Sequence, residues 1–249
     1  MGDPGYNSTW LTNGNYACVM DAGTEQEEMK MRVTVISDVV CPWCRIGKAN
    51  LMQAAEQWTQ QTGEAVEVTM LPFLLDPVEP GVKEDFRERF TKRKGMPADQ
   101  MKGMFDRVTQ VGAQQGIHFD FDKVSVAVDT VPAHELMELA PVDKRLALMD
   151  ALMTGYFEQG KDVGEPDVLL AIAKEAGLTD EELKAIEPDL RSRKLEPQVR
   201  GMILQAQQAG VQGVPFFIIN DALAVSGAQP VNVFLQAFQQ ATDTAAVKA

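Results

Sequence analysis

Cys41 and Cys44 stand three residues apart where a predicted strand meets a predicted helix. The strand is the short, β-branched and alternating stretch MRVTVIS, residues 31–37. The helix begins at the cysteine pair, carries apolar residues at helical spacing and closes at Gly63, a residue suited to a C-cap. A second β-like run, AVEVTMLPFLL, completes a strand–helix–strand unit of the size of a parallel βαβ. The opening of the chain therefore predicts an α/β fold with the cysteines at a strand-to-helix junction.

The remainder of the chain predicts a helical block followed by a return to β-structure. The run VPFFIIN and the run ALAVSG predict two strands, with Asn-Asp as the two-residue turn between them. QPVNVFLQAFQQAT then predicts a closing amphipathic helix with Pro230 in its first turn. Five helical segments are predicted before the hairpin, several opening on an acid, Thr or Pro and several closing on Gly: residues 83–95, 97–116, 140–160, 165–177 and 179–210.

This order of elements predicts an α/β thioredoxin-like fold with an inserted all-helical domain. Residues 1–30 have no clear period and are predicted to form an N-terminal tail. Residues 31–80 and 211–249 together are predicted to form the discontinuous thioredoxin-like domain, and residues 81–210 the inserted helical domain.

Composition limits the classes of partner. The 249 residues carry a formal net charge of -13, which argues against nucleic acid and, more weakly, against anionic membrane surfaces, because both need clustered Lys and Arg. The sequence contains no run of about 18 apolar residues, the length that a membrane-spanning helix needs, and the first residues lack a signal-peptide pattern. A cytoplasmic protein that acts on other proteins or on small molecules is expected. The three cysteines are too few for a disulfide-stapled scaffold.

The spacing of the cysteine pair suits thiol–disulfide chemistry. Cys41 lies where unpaired backbone N–H groups and the helix dipole stabilise a thiolate, which is the reactive form. One turn further on, Cys44 can close a small disulfide with it, so Cys41 is expected to be the exposed thiol and Cys44 the buried one. Pro42 fits the first helical turn, where its missing N–H is not needed. Arg45 shares a helix face with Cys41 and either favours its thiolate or is a solvated surface residue.

A metal site is the competing interpretation of the pair. Zinc needs four nitrogen or sulfur ligands, and the strong remaining candidates are Cys18, His118 and His134, which form no ligand-like pair. No metal is therefore expected, and a buried, inert cysteine pair is the other alternative. No organic cofactor is needed, because the dithiol is itself the reagent.

Pro215 opens the late strand. Proline is acceptable at a first strand position, so an ordinary strand boundary is one interpretation. In a thioredoxin-like fold, however, a cis-proline at this point faces the CxxC motif. It leaves the backbone of Val214 free to hydrogen-bond an extended substrate. The Val214–Pro215 bond is therefore predicted to be cis.

Three segments together carry a family resemblance: SDVVCPWCRIGK, GVPFFIINDALAVSGAQP and YFEQGKDVGEPDVLLAIAKEAGL. They resemble the FrnE-like branch of the DsbA family over about residues 31–241. The resemblance implies a thioredoxin fold with a helical insertion and a protein thiol–disulfide oxidoreductase or isomerase. It also implies that Cys41 is the attacking cysteine, Cys44 the resolving one and Pro215 the cis-proline. Arg45 stands where the family often has Tyr, and Phe216 where it often has Thr.

Other residues near the motif have two interpretations each. Trp43 is predicted to be an apolar platform for an unfolded segment, or to pack against the helical domain. Asp38 could relay protons for Cys44 or cap a turn. His118 and His134 are expected in surface or capping roles rather than in the cleft.

Two further functions compete with the redox enzyme. A glutathione-dependent transferase or 2-hydroxychromene-2-carboxylate isomerase of the kappa class shares this architecture but normally carries Ser where Cys41 stands. A non-catalytic chaperone would grip unfolded chains in the cleft. For the leading hypothesis the partners are proteins or peptides with thiols or disulfides, and glutathione or thioredoxin is a candidate co-reductant. The oligomeric state is not predicted.

Overall fold

The computed structural model describes residues 30–248, with side chains up to residue 244. The predicted tail, including Cys18, lies outside the described residues except for Lys30. Strand β1 (Met31–Ser37) leads through a short turn into helix α1 (Pro42–Thr62). Gly63 ends this helix in the left-handed region at φ 76°, as predicted for a C-cap glycine.

A four-stranded sheet forms the centre of the fold. Strand β2 (Val66–Pro72) pairs parallel with β1, which completes the predicted βαβ unit. Strand β5 (Phe216–Ile219) lies antiparallel to β1, and β6 (Leu223–Ser226) lies antiparallel to β5. The sheet order is β2-β1-β5-β6, so the strand that leads to the cysteines is central. This is the thioredoxin-like α/β fold that the sequence predicted.

The β5–β6 hairpin turns at the predicted Asn-Asp pair, but its connection has three residues, 220–222, rather than the predicted two, because Ile219 pairs with Leu223. Asn220 and Asp221 have φ of 47° and 56°, which is the pair of positive values that a type I′ turn needs. Helix α9 (Val231–Lys248) follows and begins immediately after Pro230. It packs beside α1, where the Phe238 and Trp58 rings meet edge to face.

The segment between β2 and β5 is largely helical, as predicted. It also contains a two-residue ladder of β3 (Glu84–Asp85) with β4 (Val126–Ala127). Its helices are α2 (Phe86–Lys94), α3 (Ala98–Ala113), α4 (Val131–Leu139), α5 (Arg145–Gln159), α6 (Pro166–Glu175), α7 (Asp180–Arg191) and α8 (Glu196–Gln208).

The β3–β4 ladder corrects the prediction of an all-helical insertion, and two further features also differ from the prediction. Helix α4 was not predicted, because residues 131–137 are all buried and an all-round buried helix has no amphipathic period. The predicted segment 179–210 is two helices, α7 and α8, which are separated by a turn with Arg193 at φ 56°.

The core is shared between the sheet and the insertion. The largest cluster of buried side chains joins Val33 and Phe217 of the sheet to Leu152 and Leu169 of the inserted helices. Because one core serves both parts, the division into a thioredoxin-like domain and an inserted domain stays a prediction from the sequence. Among the described residues, no helix is long and apolar enough to cross a membrane.

Helix α1 approaches the start of β5 so closely that only glycine fits at one of its positions. A Cβ added to Gly47 would lie 2.9 Å from Pro215 Cγ and 3.1 Å from Phe217 Cζ. Neither neighbour is the free end of a flexible chain: one belongs to a proline ring and the other to a fully buried phenylalanine. Gly47 thus sets the distance between the helix that carries the cysteines and the loop that faces them.

Gly47→Ala is expected to lower the free energy of unfolding by about 1–3 kcal/mol, because the added methyl group overpacks this contact. Gly103 is the matched control, since it also lies inside a helix but no atom lies within 4 Å of the Cβ that alanine would add. Gly103→Ala should raise the free energy of unfolding by about 0.5–1 kcal/mol, the usual gain of alanine over glycine in a helix. Urea unfolding measures both values. Equal stability of the two variants would contradict the close approach of α1 to Pro215 and Phe217 at Gly47.

Candidate active site

Cys41 is the N-cap residue of α1. Its backbone is extended, with φ −98° and ψ 108°, and its Sγ accepts a hydrogen bond from the Cys44 N–H at 3.3 Å. The turn that leads to it is closed by the Cys41 N–H, which donates to the Asp38 carbonyl at 3.1 Å. Pro42 occupies the first helical turn, as predicted. The sulfur of Cys41 therefore takes the place of a capping side-chain oxygen at the positive end of the helix.

The loop before β5 closes over this sulfur. The Val214–Pro215 peptide bond is cis, which confirms that prediction. Cys41 Sγ donates to the Val214 carbonyl oxygen at 3.6 Å, and no disulfide joins Cys41 to Cys44. The structure thus brings the Cys41–Cys44 pair together with Val214 and Pro215, although Val214 follows Cys41 by 173 positions in sequence.

Both cysteines are buried, which corrects the expectation that Cys41 is exposed. The exposed fraction is 2% for Cys41 and 1% for Cys44. The physical reason is the contact with the Val214 carbonyl, which covers the first sulfur while the core covers the second. A disulfide that reaches Cys41 Sγ must displace this carbonyl contact.

Cys44 is buried beside Cys41, Asp38 and Ser37, of which only Ser37 was not singled out in the sequence. Burial raises the pKa of the Cys44 thiol well above its ordinary value, and the adjacent Cys41 raises it further. Hydrogen bonds with the Asp38 backbone and the Ser37 side chain oppose this shift but do not reverse it. Cys44 is therefore held as a neutral thiol at neutral pH.

Asp38 is a fully buried carboxylate that fastens the turn before the cysteines. Its Oδ2 accepts the Leu75 N–H at 2.7 Å, and its Oδ1 lies 3.3 Å from His134 Nε2. The same nitrogen lies 3.1 Å from the Phe73 carbonyl oxygen, so it faces two acceptors and must carry the proton. The Asp38 side chain therefore ties the turn to Leu75 and His134 and does not cap it, since the turn itself is closed by the Asp38 backbone carbonyl; proton relay stays a prediction.

His134 is a correction to the sequence analysis, which expected a surface or capping role. It is 4% exposed and lies behind the cysteine turn, on the unpredicted helix α4. Its apolar surroundings, VPAHELMELA, were the signal for burial. His118 is exposed, as expected, and its backbone carbonyl accepts a hydrogen bond from Arg45 at 2.9 Å.

The structure contradicts one of the two interpretations of Arg45, that of a solvated surface residue. Its guanidinium pairs with Glu158, donates to Thr154 Oγ1 at 2.9 Å and lies 5.5 Å from the centre of the Phe119 ring. Its side chain is 12% exposed, so it is not a solvated surface residue. Arg45 thus links α1 to the insertion through Glu158 and Thr154, and an effect of its charge on the Cys41 thiolate stays a prediction.

The remaining predicted residue, Trp43, is half-buried and packs against the largest core cluster. This agrees with the packing interpretation, and its role as a substrate platform stays a prediction. Within residues 30–248, no group of three His, Cys, Asp or Glu side chains has the arrangement of a metal site.

The arrangement has the parts that dithiol chemistry requires. One sulfur caps a helix N-terminus, a second lies within one turn of it, and the Val214 backbone carbonyl faces the first sulfur at 3.6 Å. Sulfur at a helix N-terminus is the usual setting of a reactive thiolate, whereas a thiol buried in the core is inert until its partner reacts.

The raised pKa of Cys44 makes the stability of the reduced protein depend on pH. The folded state keeps the Cys44 proton to a higher pH than the unfolded chain does, whose cysteines titrate near about 8.5. The stabilisation that the folded state gains by keeping this proton is therefore complete below that pH, and it declines as the pH rises. Between pH 7 and pH 9.5 the reduced protein should lose stability, on the order of 1 kcal/mol, through this group, and Cys44→Ala should lack that loss. Urea unfolding under reducing conditions at pH 7 and 9.5 measures the difference, and parallel losses in both proteins would contradict it.

Comparison with known proteins adds independent support for the fold and the family. A family model described as a DSBA-like thioredoxin domain matches residues 32–239. A probable DsbA oxidoreductase from Streptomyces coelicolor is 33% identical in sequence, with a TM-score of 0.75 over 86% of this chain and 90% of that one. YwbO of Bacillus subtilis is 28% identical over 220 residues, which are 84% of this chain and 96% of that protein.

A more distant structure shares the fold alone. The cytosolic disulfide reductase DsbM from Pseudomonas aeruginosa, solved with GSH, is 19% identical, with a TM-score of 0.56 over 84% of this chain and 98% of that one. The family model covers most of the chain, including both cysteines and the strand after Pro215. The chain therefore belongs to the family of DSBA-like thioredoxin domains.

Proposed function

We propose that this protein is a thiol–disulfide oxidoreductase that reduces and isomerises disulfides of polypeptide substrates with its own Cys41–Cys44 dithiol. The observation that carries the proposal is the position of Cys41 Sγ, at the N-cap of α1 and 3.6 Å from the Val214 carbonyl oxygen. Membership in a family of disulfide oxidoreductases supports the reaction class.

The proposed reaction has two exchange steps. Cys41 thiolate attacks one sulfur of a substrate disulfide, the substrate S–S bond breaks, and the departing sulfur takes up a proton as a thiol. Cys44 then loses its proton and attacks Cys41 Sγ, which breaks the mixed disulfide and releases the second substrate thiol. Two electrons pass to the substrate and the Cys41–Cys44 disulfide forms. When a substrate thiolate attacks the mixed disulfide instead, the substrate is isomerised and Cys41 is regenerated.

The neutral state of Cys44 supports this order of attack. A thiol whose pKa is raised by burial is a poor nucleophile, so it does not compete with Cys41 for the incoming disulfide. After the mixed disulfide forms, the Cys41 sulfur lies within one helical turn of Cys44, and proximity compensates for the low thiolate fraction.

The substrate backbone is proposed to pair with Val214. The Val214 carbonyl already accepts a hydrogen bond from the Cys41 thiol, and an extended segment could replace it there. Trp43, half-buried beside the dithiol, would contribute apolar contact on the other side.

The direction of the reaction follows from the compartment, which we propose to be the cytoplasm. The glutathione pool of the cytoplasm is held at roughly −220 to −320 mV. If the reduction potential of the Cys41–Cys44 couple is higher than that of the pool, the pair is kept as the dithiol. The dithiol form reduces and isomerises but does not oxidise. Glutathione or thioredoxin would return the Cys41–Cys44 disulfide to this form.

Cys44→Ser should accumulate a mixed disulfide with scrambled ribonuclease, because Cys41 can attack but nothing resolves the product. Cys41→Ser should form none, since Cys44 is buried and protonated, provided that both variants also carry Cys18→Ser to remove the third thiol of the chain. Non-reducing gels after acid quenching measure the adduct, and dithiothreitol should release it. Equal trapping by the two variants would contradict the assignment of Cys41 as the attacking thiol.

The same variants separate the competing functions. Insulin reduction and ribonuclease reactivation should both be lost in Cys41→Ser. Turnover of a chromene carboxylate with glutathione that survives in this variant would instead support the kappa-class alternative. Suppression of aggregation that survives loss of both thiols, without any exchange activity in the wild type, would support a chaperone.

A further inference from the structure

His134 joins the two chain segments that lie directly behind the dithiol. Its Nε2 lies 3.3 Å from Asp38 Oδ1 and 3.1 Å from the Phe73 carbonyl oxygen, so that one N–H serves both acceptors. Asp38 belongs to the turn after β1, whereas Phe73 follows the last residue of β2. A side chain of the inserted helix α4 therefore fastens the ends of two neighbouring strands to each other.

This bridge is buried, and the helix that presents it is fixed. The exposed fraction is 4% for His134 and 0% for Asp38, and Val131, Ala133 and Leu136 of α4 are fully buried. Among the described side chains, His134 is the only basic group within ion-pair distance of Asp38. A buried carboxylate is costly to leave without its partner, so the contact favours one position of the turn more than it adds stability.

The two residues that His134 holds both form hydrogen bonds with Cys44. Asp38 is held directly, and Ser37 is held through Phe73, whose N–H donates to the Ser37 carbonyl at 3.0 Å. Burial raises the pKa of the Cys44 thiol, and hydrogen bonds with the Asp38 backbone and the Ser37 side chain oppose that rise. Both groups therefore favour the thiolate, which is the form in which Cys44 must attack.

The sulfur of Cys41 depends on different contacts. It accepts the Cys44 N–H at 3.3 Å and donates to the Val214 carbonyl oxygen at 3.6 Å. The turn binds the backbone of Cys41 rather than its sulfur, because the Cys41 N–H donates to the Asp38 carbonyl at 3.1 Å. A displacement of the turn should therefore change the chemistry of the second sulfur more than that of the first.

We propose that Ser37 is a catalytic residue of the resolving step and that its hydroxyl stabilises the Cys44 thiolate as this forms. His134 is the positioning residue of the same step, because it holds Ser37 and Asp38 against the sulfur. In this step Cys44 gives its proton to the solvent and its sulfur attacks Cys41 Sγ. The new S–S bond forms, and the substrate sulfur departs with the electron pair of the broken bond. The inference rests on the proposed function, since it concerns the second of its two exchange steps.

Dithiobis(nitrobenzoate), an aromatic disulfide, measures the two steps separately, because each step releases one coloured thiolate. All proteins carry Cys18→Ser, so that the dithiol is the only source of this signal. The reduced protein should show a first phase as Cys41 attacks and a second phase as Cys44 resolves the adduct. Ser37→Ala should slow the second phase about 10-fold and leave the first unchanged, because it removes a hydrogen bond to a charged sulfur. Ser226→Ala is the matched control, since Ser226 is exposed on β6 and both phases should keep their rates.

Two substitutions test the role of His134. His134→Leu removes the donor and should slow the second phase by a similar factor, whereas His134→Gln keeps an N–H near the position of Nε2 and should restore most of the rate. His118→Leu is the matched control, because His118 is the other histidine of the chain and its side chain is exposed. Ser37→Ala leaves the bridge in place, so the proposal stays testable if His134→Leu does not fold.

The outcomes separate this proposal from the proposed function. Equal slowing of both phases in Ser37→Ala would overturn the proposal, since it indicates general damage to the site rather than a lost contact with one sulfur. A wild type that reduces insulin, with a second phase that neither Ser37→Ala nor His134→Leu changes, would contradict this inference alone. A wild type that shows no first phase and does not reduce insulin would contradict the proposed function, and the inference with it.

Discussion

The close approach of α1 to the loop before β5 is the constraint on which the site depends. Helix and loop come from opposite ends of the chain, and they meet where Gly47 leaves no side chain to separate them. Because the helix N-terminus is fixed at this distance, Cys41 Sγ reaches the Val214 carbonyl and is covered by it. A wider gap would leave the N-cap sulfur in water and would separate the dithiol from the strand that we propose pairs with substrate.

The insertion holds the same helix from the other side. Arg45 and Lys48, one turn apart on α1, bind Glu158 and Asp150 of α5, and the Lys48 ammonium lies 2.7 Å from its carboxylate partner with its side chain nearly buried. Behind the turn, His134 of α4 meets Asp38. Buried charges of this kind are costly to leave unpaired, so they favour one relative position of the two elements more than they add stability. The inserted helices thus position the dithiol as well as covering it.

The elements with a strong local pattern could be predicted from sequence, whereas the contacts around the thiols could not. Alternation identified β1, Gly63 marked the end of α1, and the Asn-Asp pair marked the hairpin turn, because each depends on neighbouring residues alone. Helix α4 was missed because it is buried on every side, and His134 was misplaced with it. Arg45 was misjudged because its partners lie more than 70 residues away, and nothing near it in sequence indicates them.

The shared core has a consequence for how the molecule could be taken apart. Side chains of the sheet and of the inserted helices belong to one buried cluster, so cutting the chain at the predicted boundaries would expose apolar surface on both pieces at once. The inserted helices are therefore not a removable module. Exchanging them between relatives requires their sheet-facing residues to be exchanged as a matched set with those of β1 and α1, and recombination that ignores this pairing would produce chains that aggregate.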